Sequence, residues 1–282
     1  MVYSICAHTL TNLPLLILIG IIAGFFSALL GVGGGFIIVP FLIAIGISSD
    51  VAGASSIAIT CGTAFAGMLA YKKIEGIDFK VGLNIIIGAV VGGIFGVFLT
   101  KYLRISGNFD LVIHLLFSII LVLMGIFMMK ESFFSMLKKQ KKTRDFTIFK
   151  DSKFSIFFLF IVGFLVSILA SIMGVGGGFA YVPAMIYLCG IPTKVALGTS
   201  LLIITVVNGL IAIEHAALNK TVDAFLVLIP YISSIIGVIL GISLSKSLSN
   251  ATIRFAFSLV LMAIAVKSGY AIFKIPQIYF VQ

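Results

Sequence analysis

Two stretches have residue types and spacing that suit chemistry. Gly31-Val32-Gly33-Gly34-Gly35-Phe36 runs on to Val39-Pro40, and Gly174-Val175-Gly176-Gly177-Gly178-Phe179 runs on to Val182-Pro183. Both lie inside long apolar runs, where glycine at four of five consecutive positions breaks a helix. In hydrocarbon every backbone N–H and C=O needs a partner, so such a break is tolerated only where it faces protein or a water-filled cavity. The N–H groups freed at the start of the following half-helix point into the break, and the helix dipole adds partial positive charge there. Together they make an anion site without a lysine. Without side chains in the way, an oxyanion can approach the backbone closely. The candidate binding residues are therefore Gly31, Gly33, Gly34, Gly35 and Phe36 in one copy, and Gly174, Gly176, Gly177, Gly178 and Phe179 in the other. Close helix crossing is the competing use of membrane glycines. It is the better reading for Gly92/Gly96 and Gly237/Gly241, which are spaced GxxxG, but it does not require three glycines in a row. A dinucleotide fingerprint is excluded, because Phe36 and Phe179 occupy its last glycine position and no βαβ context exists.

Small hydroxyl residues follow each break. Ser55 and Ser56 match Thr199 and Ser200 near the start of the next segment, with Thr60 and Thr205 further along. These can donate hydrogen bonds to a bound oxyanion or bond back to their own helix, and the sequence leaves both uses open. Asn208 shares the second-half segment, where the first half has Ala64. An amide inside a membrane segment must find a partner, which makes Asn208 a further candidate. No nucleophile–base constellation, metal-ligand cluster or cofactor motif accompanies these residues, so catalytic, metal and cofactor roles are not expected.

The elements that must position these residues are apolar throughout. Of 282 residues, 61% are hydrophobic and 10% charged. Soluble domains average roughly 45–50% and about 25%. The chain is expected to be an all-α polytopic membrane protein with the lipid bilayer as its partner. The apolar segments are Pro14–Leu30, Phe36–Ile47, Val51–Tyr71, Phe79–Leu103 and Leu111–Met129, then Phe154–Met173, Phe179–Ile191, Val195–His215, Phe225–Leu248 and Ala251–Phe273.

The second set repeats the first. Gly31/Gly174 and Pro40/Pro183 are 143 apart, Ser55/Thr199 and Ser56/Ser200 are 144 apart, and Asp78/Asp223, Gly92/Gly237 and Gly96/Gly241 are 145 apart. This register implies two homologous repeats of four to five helical segments, at 1–129 and 154–282, joined by a basic cytoplasmic loop at 130–153. Duplicated halves with a broken segment in the same place point to a transporter whose site lies between the repeats. Parallel and inverted repeats each place fourteen Lys/Arg on the cytoplasmic side, so charge does not separate them. Phe36–Ile47 is 12 residues, about 18 Å of helix, too short to cross. That length favours a hairpin, and with it inverted repeats.

The net charge of +10 is concentrated in one place, with eight of the 19 Lys/Arg between Lys130 and Lys153. A positive-inside loop accounts for this, and no nucleic-acid partner is expected. Cys6, Cys61 and Cys189 are far apart and lack disulfide or metal spacing. The first 13 residues carry no Lys or Arg and so lack the basic start of a signal peptide. Asp78 and Asp223 each stand just before a segment, as helix N-caps do. Homo-oligomerisation is compatible with such a chain.

At the doubled Gly-Val-Gly-Gly-Gly-Phe…Val-Pro motif, with Ser55-Ser56 and Thr199-Ser200 following, the chain resembles the sulfite exporter (TauE/SafE) family. The resemblance covers Leu13–Phe273. It implies a multi-pass permease of the cell membrane. It also implies small sulfur-containing anions such as sulfite, thiosulfate or organosulfonates as substrate. The expected function is secondary transport of such an anion, bound at the two breaks between the repeats. An anion channel using the same backbone dipoles is the alternative.

Overall fold

A computed structural model describes residues 13–47, 49–73, 76–105, 119, 122–123, 125–133, 153–173, 178–219 and 222–274. Among these there are helices and connecting turns, with no strand. The first half contains α1 (Leu13–Leu30), α2 (Gly35–Ala44), α3 (Ser49–Lys72) and α4 (Phe79–Ile105), followed by helical residues 125–133. The second contains α5 (Lys153–Met173), α6 (Gly178–Leu188), α7 (Thr193–Glu214), α8 (Ala224–Ser247) and α9 (Asn250–Lys274). A π-helical turn, His215–Asn219, extends α7. Most of the expected segment Leu111–Met129 and of the basic loop lies outside the described residues, as do Gly174, Gly176 and Gly177.

Among the described residues, five stretches are long and apolar enough to cross a membrane: Leu13–Leu30, Val51–Lys72, Phe79–Gly96, Thr193–Ala217 and Ala224–Ser247. Their outer faces are apolar as well. Leu83, Ile87, Val91 and Phe98 of α4 are exposed, as are Leu228, Ile232, Ile236 and Ile239 of α8. Spaced three, four or seven apart, these residues form stripes suited to lipid rather than water.

Each half packs largely against the other. α1 lies along α8, α4 lies along α5, and α3 crosses α7. Glycines set the closest approaches. A Cβ on Gly92 would land on the Phe164 carbonyl, and one on Gly237 would land on the Ile21 carbonyl. These glycines of the GxxxG pairs therefore seat backbone against backbone. Along α1 and α8 the partners advance together, Gly20 with Pro230 and Gly241 with Phe25, so the two helices run parallel. α4 and α5 do the same, with Gly88 on Phe160 and Gly92 on Phe164. Between α3 and α7 the order reverses: Thr60 meets Asn208 and Gly67 meets Leu201, so these helices are antiparallel.

Two aspartates start helices in matching fashion. Asp78 Oδ1 accepts from the Val81 N–H at 3.0 Å, and Asp223 Oδ1 accepts from the Leu226 N–H at 2.9 Å. Both N-caps expected from the sequence are present. The buried core includes Leu30, Val32, Phe36, Tyr181, Met185, Leu201 and Ile204, and so surrounds the first glycine break.

Candidate functional site

α1 ends at Leu30 because the glycines after it adopt a backbone that other residues resist. Gly31, Gly33 and Gly34 have φ of 69°, 83° and 86°, all left-handed. Gly34 is the N-cap of α2, Gly35 is its first residue, and no side chain caps it. The first helical hydrogen bonds are Ile37 N–H to Gly34 O at 3.0 Å and Ile38 N–H to Gly34 O at 3.3 Å. The N–H groups ahead of them lack intrahelical partners by the geometry of any helix start. They carry the positive end of the α2 dipole.

The break is buried at the centre of the molecule, against α3, α6 and α7. Gly31 lies against Leu197 of α7 and Val182 of α6. Its carbonyl accepts a hydrogen bond from Ser200 Oγ at 2.7 Å. Gly33 lies between Ile204 and Thr60. The Thr60 hydroxyl donates to Ile57 O and accepts from Asn208 Nδ2 at 2.8 Å. Gly178, the last glycine of the second motif, opens α6 and presses on the Val32 backbone between the glycines of the first. The described ends of the two motifs therefore meet. Gly31, Gly33, Ser200, Asn208 and Gly178 come together there with Phe36, which is buried in the same core. Phe179 contributes its backbone to α6.

The other hydroxyl candidates sit elsewhere. Ser55 Oγ accepts from the Asp223 N–H at 3.4 Å, at the entry to α8. Thr199 Oγ1 donates to Val195 O and accepts from the Asp78 N–H at 3.0 Å, at the entry to α4. These two residues tie each half to the loop of the other. Ser56 differs: its hydroxyl is buried and has no hydrogen-bond partner. Thr60, named with the hydroxyl residues but not among the candidate binding residues, is a neighbour of the break. Among the described residues, no three His, Cys, Asp or Glu side chains gather to hold a metal ion.

Such a site has an uncapped helix start and its dipole in a buried core, while the Ser200 and Thr60 hydroxyl protons are already donated to Gly31 O and Ile57 O. Its free donors are those of the backbone at the helix start, and no nucleophile–base pair stands among its described residues. No solved structure matches the chain. Curated relatives do match along nearly their whole length. A probable membrane transporter protein of Bacillus subtilis, YunE, is 28% identical over 275 residues, covering 91% of this chain and 97% of the relative. A probable membrane transporter protein of Methanocaldococcus jannaschii, MJ0441, is 27% identical over 279 residues, covering 93% and 97%. One from Xylella fastidiosa is 27% identical over 263 residues, covering 92% and 95%. The sulfite exporter TauE/SafE profile matches residues 16–268. With that match across both halves and the buried break they enclose, the chain belongs to the sulfite exporter TauE/SafE family of multi-pass membrane transporters.

Proposed function

We propose that the protein is a secondary transporter of a small anion, a sulfur oxyanion or organosulfonate, bound at the glycine break between two inverted repeats. One observation carries the reading: α2 begins, uncapped, at a triple-glycine break buried in the centre of the bundle. A helix start placed there directs N–H donors and partial positive charge into the core. Sulfur in the substrate rests on the family's name alone. Multi-pass architecture with this family is consistent with residence in the cell membrane.

The inverted arrangement draws support from the packing. Under exchange of the halves, the α1–α8 contact maps onto α5–α4, and the Asp78–Thr199 hydrogen bond maps onto Asp223–Ser55. α3 and α7 correspond in sequence and cross antiparallel, which suits a two-fold axis in the membrane plane. Alternating access then moves one repeat against the other around the break.

The test is uptake of labelled sulfite, thiosulfate and an organosulfonate into proteoliposomes. Saturable flux with counterflow is expected, and both are expected to vanish in Gly34→Leu. Flux that neither saturates nor shows counterflow would assign a channel instead. Unchanged flux in Gly34→Leu would remove the break from the mechanism.

A further inference from the structure

Several helical hydroxyls here bond to their own helix. Thr60, Thr63, Thr205, Ser233, Ser234 and Ser258 each donate to a carbonyl three or four residues earlier. Ser167 and Ser171 of α5 and Tyr181 of α6 do not. Their oxygens have no hydrogen-bond partner, although the residues are only 0%, 7% and 1% exposed. The serines are four apart and share a helix face. That face meets α4 at two glycines: a Cβ on Gly93 would lie 3.1 Å from Ser167 Oγ, and one on Gly96 would lie 2.8 Å from Ser171 Cβ. The Tyr181 hydroxyl approaches Ser167 without completing a bond. Three unsatisfied oxygens thus line one strip between α4, α5 and α6.

A buried hydroxyl left unpaired is costly, so three together point to a polar occupant. Position decides its sign. Ser171 lies in the last turn of α5, which ends at Met173. The last turn of a helix carries the negative end of its dipole. Neutral hydroxyl and carbonyl oxygens at a negative helix end suit a hard cation, the use that broken-helix transporters make of half-helix C-termini. The first half holds Gly24, Ala28 and Ile38 at the matching positions, 143 residues earlier, with no hydroxyl among them. The three-hydroxyl strip is therefore not repeated in the first half, where Ser27 in the last turn of α1 is the one buried hydroxyl without a partner among the described residues of that helix.

We propose that Ser167, Ser171, Tyr181 and the last-turn carbonyls of α5 form one binding site for a monovalent alkali cation of sodium size. The cation's travel with the anion rests on the transport reading above, but its binding does not. The two are separated by measuring them separately.

Binding of ²²Na⁺ is measured on purified full-length protein in choline chloride, without substrate. Saturable binding is expected. Tyr181→Phe and Ser171→Ala are expected to weaken it tenfold or more, while Ser258→Ala, whose hydroxyl bonds within α9, leaves it unchanged. Tyr181→Phe keeps ring and volume, and an unshifted melting temperature in choline chloride certifies its fold. Sulfite binding at saturating sodium, on the same preparations, reports the glycine break independently and is expected to persist in both variants. No saturable sodium binding in the unmodified chain, or equal binding in the variants, overturns the site and leaves the hydroxyls to water.

Discussion

Gly34 and Gly46 make a matched pair for testing the break. Both have left-handed φ, 86° and 92°, so an alanine at either stores about 1–2 kcal/mol of backbone strain. Gly46 has nothing within 4 Å of where its Cβ would stand, whereas a Cβ on Gly34 would lie 2.8 Å from the Ala23 carbonyl oxygen. Gly34→Ala is therefore expected to lower the melting temperature more than Gly46→Ala and to abolish flux, while Gly46→Ala keeps it. Equal flux in the two variants would detach transport from the break. A second pair tests the amide. A double-mutant cycle on Asn208→Ala and Thr60→Val is expected to give about 0.5–1.5 kcal/mol of coupling in detergent unfolding, since they share one buried hydrogen bond. The break was legible in the sequence because three successive glycines have few other uses inside an apolar run. The partner of Asn208 was not, because Thr60 lies 148 residues away and meets it only through a helix crossing. Nor was the division among the serines and threonines. A hydroxyl that bonds its own helix and one that waits for a ligand are spelled alike.

Helix extents followed the apolar runs closely, down to the short α2 at Gly35–Ala44, expected at Phe36–Ile47. Which helix lies beside which had no local signal, and α1 packs on α8 rather than within its own half. The GxxxG glycines marked close crossings without naming their partners. Those crossings are rigid. Gly92→Leu and Gly237→Leu are each expected to cost several kcal/mol and to prevent recovery of folded protein, because the new side chain meets carbonyl oxygens rather than flexible side chains. Monodisperse, thermally unshifted protein from either variant would refute the contact. The α3–α7 crossing can be fixed covalently. A Cβ on Gly209 would stand 3.3 Å from Cys61 Sγ. In a background lacking Cys6 and Cys189, Gly209→Cys is expected to form a disulfide with Cys61 under mild oxidant. Intact mass and loss of both maleimide-reactive thiols measure it. Persistence of two free thiols would place the helices differently.

At the scale of the molecule the outstanding quantity is orientation. Lysine and arginine counts gave fourteen inside for either repeat geometry, since the charges outside the basic loop lie on both kinds of connection. The sequence alone was left with the shortness of α2. The antiparallel crossing of α3 and α7 adds a second, independent reason. Parallel repeats relate corresponding helices by an axis along the membrane normal and keep them pointing the same way. Inverted repeats turn one over. If the positive charge of residues 130–153 holds them in the cytoplasm, inverted halves each contribute an odd number of crossings and place both ends of the sequence outside. A reporter fused after Gln282 is therefore expected to behave as external, with active alkaline phosphatase and dark green fluorescent protein. The reverse pattern would restore parallel repeats and require α3 and α7 to cross otherwise. The Cys61–Gly209→Cys bridge then adds a functional reading. If the repeats move against each other during transport, oxidation is expected to stop anion flux and reduction to restore it, with substrate binding retained throughout. Full flux in the bridged protein would mean that α3 and α7 stay fixed as an axle while the flanking pairs, α1 with α8 and α4 with α5, carry the motion.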